Sequence, residues 1–198
     1  MAELTFTYGT MASGKSTLAL QLCWQLREGR RDVALWTFGE RNADATVTSR
    51  IGIAAAADAI EPGTPLAPHV RSLLARAVKI LVVDEVQFAS VEQIDDLARL
   101  VDDHDVEVHT FGLSADFLLT LFAGSARLFA IADRSHELPL TSSCWCGRKG
   151  RCNARVVDGK VAREGSQLYF GDVASGLVHY QVLCRTHYRL GELRPTSG

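Results

Sequence analysis

The sequence carries no strong charge of either sign. Its 21 Lys and Arg stand against 23 Asp and Glu, a formal net charge of −2 over 198 residues. Such a chain lacks the global basic surface that holds nucleic acid or an anionic membrane. No apolar stretch approaches the ~20 residues that a membrane span needs. The N-terminal MAELTFTYG is too short and too mixed for a secretory signal. A cytoplasmic location is therefore expected, with no membrane and no nucleic acid among the partners. Cysteines are few. There are five, an odd count that leaves at least one unpaired. A reducing cytosol favours metal binding or catalysis over structural disulfides for any that cluster. Internal repeats, low-complexity tracts and a guanine-specifying N-K-x-D motif are all missing, and the last absence argues against a GTPase. What remains is an ordinary globular composition, 47% hydrophobic and 22% charged. It suffices for one domain with a small appendage.

Strand-like and helix-like patterns alternate over the first ~140 residues. Leu4–Tyr8 reads as a strand. Lys15–Glu28 reads as a helix with Leu18, Leu22 and Leu26 on one face and Gly29 as its stop. Val33–Thr37 reads as a second strand, Pro68–Ala77 as a helix, and Val106–Phe111 as a further strand. The four aliphatics Ile80–Val83 have the mark of a strand buried on both faces. Ser90 with Gln93 forms a capping-box pattern for a helix running to about Asp102. The Ala, Gly and Pro-rich stretch 39–68 gives no clear pattern. Strands alternating with helices imply βαβ units and a mostly parallel sheet. The texture changes near Pro139–Ser143. Beyond it, NARVV, GSQLYFG and YQVLC are short strand candidates. The expected division is an α/β domain over 1–140, a second domain over 141–194 and a tail over 195–198.

GTMASGKS, comprising Gly9, Thr10, Met11, Ala12, Ser13, Gly14, Lys15 and Ser16, matches G-x-x-x-x-G-K-[ST] between a strand and a helix. The glycines let backbone N–H groups converge on phosphates, and the helix N-terminus adds its positive end. Lys15 can reach the β- and γ-phosphates, and the Ser16 hydroxyl can bind Mg²⁺. The strand in KILVVDEVQF ends at Asp84, an acid placed where a phosphate-loop enzyme holds its metal. Glu85 follows directly, so one carboxylate can serve the metal and the other a nucleophile. Together the two motifs predict binding of a nucleoside triphosphate and phosphoryl transfer, without naming the acceptor.

GTMASGKS, VDEVQF, GLSADF, LFAIAD and YQVLCRTH occur in the order and spacing of the type II thymidine kinases, which this chain resembles from about Leu4 to Tyr188. The resemblance implies a P-loop, RecA-like, mostly parallel α/β sheet flanked by helices. It adds a small C-terminal zinc-binding, β-rich lasso domain. It implies ATP and Mg²⁺, with thymidine as the acceptor. Glu85 matches the general base, and Asp84, Glu85, Val86 and Gln87 form the second nucleotide-contacting segment. Met11, Phe88, Leu113 and Phe117 match the walls around the thymine ring. Tyr180 matches the tyrosine that holds the nucleoside, and the loop from Gly171 through Val173 to His179 would close over the base. Arg155 matches a family arginine of no assigned role. A homo-oligomer, a tetramer in the family, and inhibition by dTTP are also implied. Three positions depart from the pattern: Thr10, Glu40 and Ser114 replace the residues usual there.

SCWCGRKGRC places Cys144, Cys146 and Cys152 close together, and CRTH offers Cys184 and His187 at C-x-x-H spacing. The family's first pair is commonly C-x-x-C; here it is C-x-C, with Ser143 in the missing place. Cys144, Cys146, Cys184 and His187 are the favoured zinc ligands, an ordinary tetrahedral set, and Cys152 is a possible substitute. Cys23 reads as a small buried hydrophobe. Two other readings stay open. One is a P-loop ATPase whose zinc ribbon binds nucleic acid through the local GRKGR patch. The other is a kinase for another nucleoside such as deoxyuridine.

Overall fold

Period-two alternation along two strands accounts for the main layers. In a computed structural model describing residues 1–39, 45–139, 142–167 and 178–195, the chain divides into two units. The first comprises Met1–Gly9, Gly14–Ser114 and Phe122–Leu138, and the second Thr10–Ser13, Ala115–Leu121 and Pro139–Gly198.

In the first unit the elements run β1 (Leu4–Tyr8), α1 (Lys15–Glu28), β2 (Val33–Phe38), β3 (Thr46–Thr48), β4 (Ala54–Ala56), β5 (Asp58–Ile60), α2 (Ala67–Ala75) and β6 (Ile80–Asp84). A short 3₁₀ turn, Val86–Phe88, leads to α3 (Val91–His104), β7 (Glu107–Gly112), α4 (Ala123–Ile131) and β8 (Arg134–Glu137). Six strands pair in the order β5-β2-β6-β7-β1-β8, every pairing parallel. Successive residues of β2 and β6 point to opposite faces. Ala34, Trp36, Phe38, Leu81 and Val83 pack with Leu73 of α2, Ile94 and Leu97 of α3 and Leu128 of α4. Val33, Leu35, Ile80 and Val82 pack instead with Ala19, Leu20 and Cys23 of α1. Helices thus cover both faces, as an all-parallel sheet requires.

Helix α1 has the expected bounds, and Leu22 and Leu26 of the expected face pack half-buried against the core. Leu18 is exposed, and the fully buried positions are Ala19, Leu20 and Cys23, with Lys15. Small side chains at Ala19 and Cys23 let the helix lie close to the sheet, and Lys15 turns inward at its start. Helix α2 ends two residues early, at Ala75. At α3 the capping box is complete: Ser90 Oγ accepts from the Gln93 N–H and Gln93 Oε1 accepts from the Ser90 N–H. Helix α4 has poor propensity at Gly124 and Ser125, yet it forms. A Cβ on Gly124 would meet the Ala89 and Val86 carbonyl oxygens at 2.7 and 2.9 Å, so close packing on the 3₁₀ turn overrides propensity.

The second unit contains β9 (Cys152–Val157), β10 (Lys160–Val161), β11 (Val178–Leu183) and α5 (Arg185–Leu190). The strands pair antiparallel in the order β10-β9-β11. Asp158 and Gly159, both at positive φ, turn β9 into β10 as two-residue hairpins do. NARVV and YQVLC fall on β9 and β11. The described part of GSQLYFG, residues 165–167, is not strand. Among the described residues the buried cluster here is small: Cys144, Cys152, Ala154, Leu183, Cys184 and Tyr188. Glu40, Gly171 and Val173 lie outside the described residues. Among the described residues no helix is long and apolar enough to cross a membrane.

Candidate active site and metal centre

Parallel pairing sends the carboxyl ends of β1, β6 and β7 to one edge of the sheet, where ligands of open α/β sheets bind. Tyr8 is level with Gly112, and the phosphate loop follows β1 directly. Ala12 and Gly14 both adopt left-handed backbone conformations, with φ of 59° and 88°. Such alternation in a turn aims successive N–H groups into one concavity. Gly14 caps α1, whose Leu18 N–H returns to the Gly14 carbonyl.

Lys15 is buried, with its Nζ 3.5 Å from the Gly9 carbonyl. Burial lowers its pKa, against the opposing pull of Glu85 and Asp84. Asp84 is 3% exposed. Burial, then the neighbouring Glu85 charge, pushes its carboxyl up to about 6, opposed by a hydrogen bond from Ser16. Its Oδ1 is buried without a hydrogen-bond partner. An orphaned carboxylate oxygen beside a serine hydroxyl is a donor set suited to Mg²⁺.

That carboxylate has a predictable energetic effect. Its pKa is raised on folding, so the folded state holds the proton to higher pH than the unfolded chain does. Stability of the nucleotide-free protein is therefore drawn down as pH rises from the ordinary carboxylate range to about 6, and stays down above it. Asp84→Asn removes the charge. We expect thermal denaturation at pH 8 to show the free variant stabilised by about 1–3 kcal/mol, the lower figure if Lys15 misses its counter-charge. A destabilised variant would contradict this.

Glu85 stands at φ 54°, opening the 3₁₀ turn. Its Oε2 accepts from Gln87 Nε2 at 2.5 Å, and Gln87 Oε1 accepts from the Leu113 N–H at 2.9 Å. Gln87 is 2% exposed. The buried amide therefore joins the Glu85 carboxylate to the backbone after β7. Gly112 makes room for it, because a Cβ there would lie 2.7 Å from Gln87 Oε1 and 2.9 Å from Val86 Cγ1.

The expected thymine-wall residues fall in both units. Phe88 packs edge-on against Phe122 at 5.9 Å, and Leu113 is half-buried. In the second unit Phe117 is buried, with the Arg155 guanidinium 3.7 Å above its ring centroid. Arg155 Nε donates to the Tyr180 hydroxyl at 2.9 Å, and its Nη1 to the Ser166 carbonyl at 3.0 Å. This clasp on Tyr180 supplies the contact that sequence reading could not assign to Arg155. Met11, half-buried, belongs to the same unit.

Cys144, Cys146, Cys184 and His187 bring their donor atoms within 4.8 Å of one another. Tetrahedral zinc needs donors about 3.5–3.8 Å apart, so the set fits with small adjustment. Cys184 precedes α5, and the His187 N–H, then hydrogen bonds from Cys144 and Cys146, lower its thiol pKa against the effect of burial, favouring the thiolate a metal requires. His187 Nδ1 lies 3.3 Å from Cys144 Sγ. Its Nε2 lies 3.4 Å from Glu192, and Trp145 stacks on the ring at 4.2 Å. Such outer partners orient a histidine ligand. Cys152 is not in the group of four; burial pushes its thiol up.

The sequence as a whole matches the family model described as thymidine kinase over residues 2–188. The chain belongs to the thymidine kinase family. A thymidine kinase from Cutibacterium acnes is 46% identical over 194 residues, covering 96% of this chain and 90% of that protein. One from Streptomyces avermitilis is 42% identical, covering 96% and 89%, and one from Lactococcus lactis is 40% identical, covering 95% and 97%. The thymidine kinase match takes in both the phosphate loop and the Cys/His cluster.

Proposed function

We propose that the chain transfers the γ-phosphoryl group of ATP to the 5′-hydroxyl of thymidine, giving dTMP. The observation that carries this is the match of residues 2–188 to the thymidine kinase family. In this reading the Gly9–Ser16 backbone and Lys15 bind the β- and γ-phosphates. Ser16 and Asp84 hold Mg²⁺, which when bound neutralises charge on the phosphate oxygens. Glu85 accepts the proton of the 5′-hydroxyl, and Gln87 holds its carboxylate. Phosphoryl transfer asks little more of a protein than such positioning and charge stabilisation. Met11, Phe88, Leu113, Phe117, Gly171, Val173 and Tyr180 are the residues that this reading assigns to the nucleoside. Cys144, Cys146, Cys184 and His187 hold a structural zinc. A cytoplasmic homotetramer inhibited by dTTP, with domains at 1–140 and 141–194, belongs to the same reading.

A nucleoside panel with purified protein tests it. ADP release should depend on thymidine and be indifferent to DNA. Deoxyuridine lacks only a methyl group, which a pocket discriminates by ~1–3 kcal/mol, so weaker turnover with it is expected. ATP hydrolysis stimulated by DNA and unaffected by thymidine would overturn the proposal.

A further inference from the structure

Met11 lies at the apex of the phosphate loop, and both of its backbone polar groups are taken by side chains distant in sequence. Its N–H donates to Asn153 Oδ1 at 2.8 Å. Its carbonyl accepts from Ser142 Oγ at 2.9 Å. All three residues belong to the second unit.

The two clamping side chains are themselves held. Asn153 is 6% exposed and sits on β9 opposite Val182 of β11. Its Nδ2 faces the Ala115 carbonyl at 3.4 Å. The Ser142 carbonyl accepts from the Gly150 N–H at 3.0 Å, closing the turn that contains Cys144 and Cys146. Each clamp lies within two residues of a cysteine of the metal-site region: Ser142 precedes Cys144, and Asn153 follows Cys152, which pairs with Leu183 just before Cys184.

The clamp also explains a strained neighbour. Ala12, next to Met11, has φ 59°, a conformation costly for a residue with a Cβ. Such a conformation persists only where the surroundings over-determine it. With the peptide groups on either side of Met11 each held by a side chain, the chain enters Ala12 in one orientation. The Ser13 N–H then closes the turn on the Thr10 carbonyl at 3.3 Å, ahead of the Gly14–Ser16 segment assigned to the phosphates.

We propose that Asn153 and Ser142 are positioning residues for the nucleotide: they set the phosphate loop through the Met11 peptide, so the Cys/His module tunes affinity for the triphosphate. The proposal rests on the reading that Gly9–Ser16 takes the triphosphate. Neither residue touches the nucleotide in this account. The effect is on affinity, through loop geometry.

The test is calorimetric binding of a non-hydrolysable ATP analogue with Mg²⁺ to the zinc-loaded protein. Asn153→Ala removes one neutral hydrogen bond and should weaken binding about three- to tenfold, with zinc content and melting temperature near those of the parent. A purely structural role would lower the melting temperature and leave affinity alone. Ser142→Ala removes the other bond at less risk to the fold, and decides the matter if Asn153→Ala loses zinc. Affinity within twofold of the parent in a folded, zinc-loaded variant would overturn the proposal. Lys15→Ala serves as the control: if it binds the analogue normally, the phosphate-loop reading itself has failed.

Discussion

Glu85→Gln is expected to lower turnover by ~10²–10⁴-fold, the usual contribution of a positioned general base, while ATP affinity should stay close to that of the parent. The reasons are geometric. Glu85 stands one residue beyond Asp84, at the end of β6, on a left-handed turn that separates its side chain from the strand. Glutamine keeps the shape and can still meet the Gln87 amide through its carbonyl oxygen. It cannot take a proton. Asp84, Lys15 and Ser16 are untouched, so the groups assigned to the nucleotide and its metal remain. Steady-state kinetics with separate titrations of ATP and thymidine measures the effect. A loss confined to kcat supports the assignment. Parent-like turnover rules Glu85 out as the base.

Removing the metal has the largest expected effect on stability. Among the described residues the buried cluster around the Cys/His group has six members, and two of them, Cys144 and Cys184, are also among the four candidate metal donors. A structural zinc contributes on the order of 10–16 kcal/mol in peptide systems, far more than so small an apolar cluster. Cys146→Ser should therefore lower zinc below one per chain and unfold the second unit, read as loss of hydrogen-exchange protection in β9 and β11. Cys152→Ser should retain zinc, because Cys152 stands outside the four-donor set. Full zinc content in Cys146→Ser, or its loss in Cys152→Ser, would refute the ligand choice.

Local signals carried much of the fold. Strand β6 was legible because a strand covered on both faces must be aliphatic throughout. Helix α1 was legible in its ends, because a phosphate loop and a glycine bound it. Its buried face was read only in part: Leu22 and Leu26 do pack on the core, but the centre of that face is Ala19, Leu20 and Cys23, and small Ala19 and Cys23 carry a weaker hydrophobic signal than the leucines beside them. Strand β8 escaped notice because RSHE is exposed along its whole length, and a polar edge strand has no alternation to find. The phosphate motif and the Asp84–Glu85 pair were legible as residue types at fixed spacing. The Asn153 bond to Met11 spans 142 positions. Gln87 acts through the Leu113 backbone N–H, just beyond β7. Contacts of that kind depend on topology, and one sequence carries no local mark of them.

The central claim is transfer to thymidine, and product analysis tests it most directly. Purified protein is incubated with γ-labelled ATP, Mg²⁺ and thymidine, and the labelled product is separated and identified. The account predicts label in dTMP, on the 5′-oxygen, with none formed by Lys15→Ala. Label appearing only as inorganic phosphate, at the same rate with and without thymidine, would contradict it.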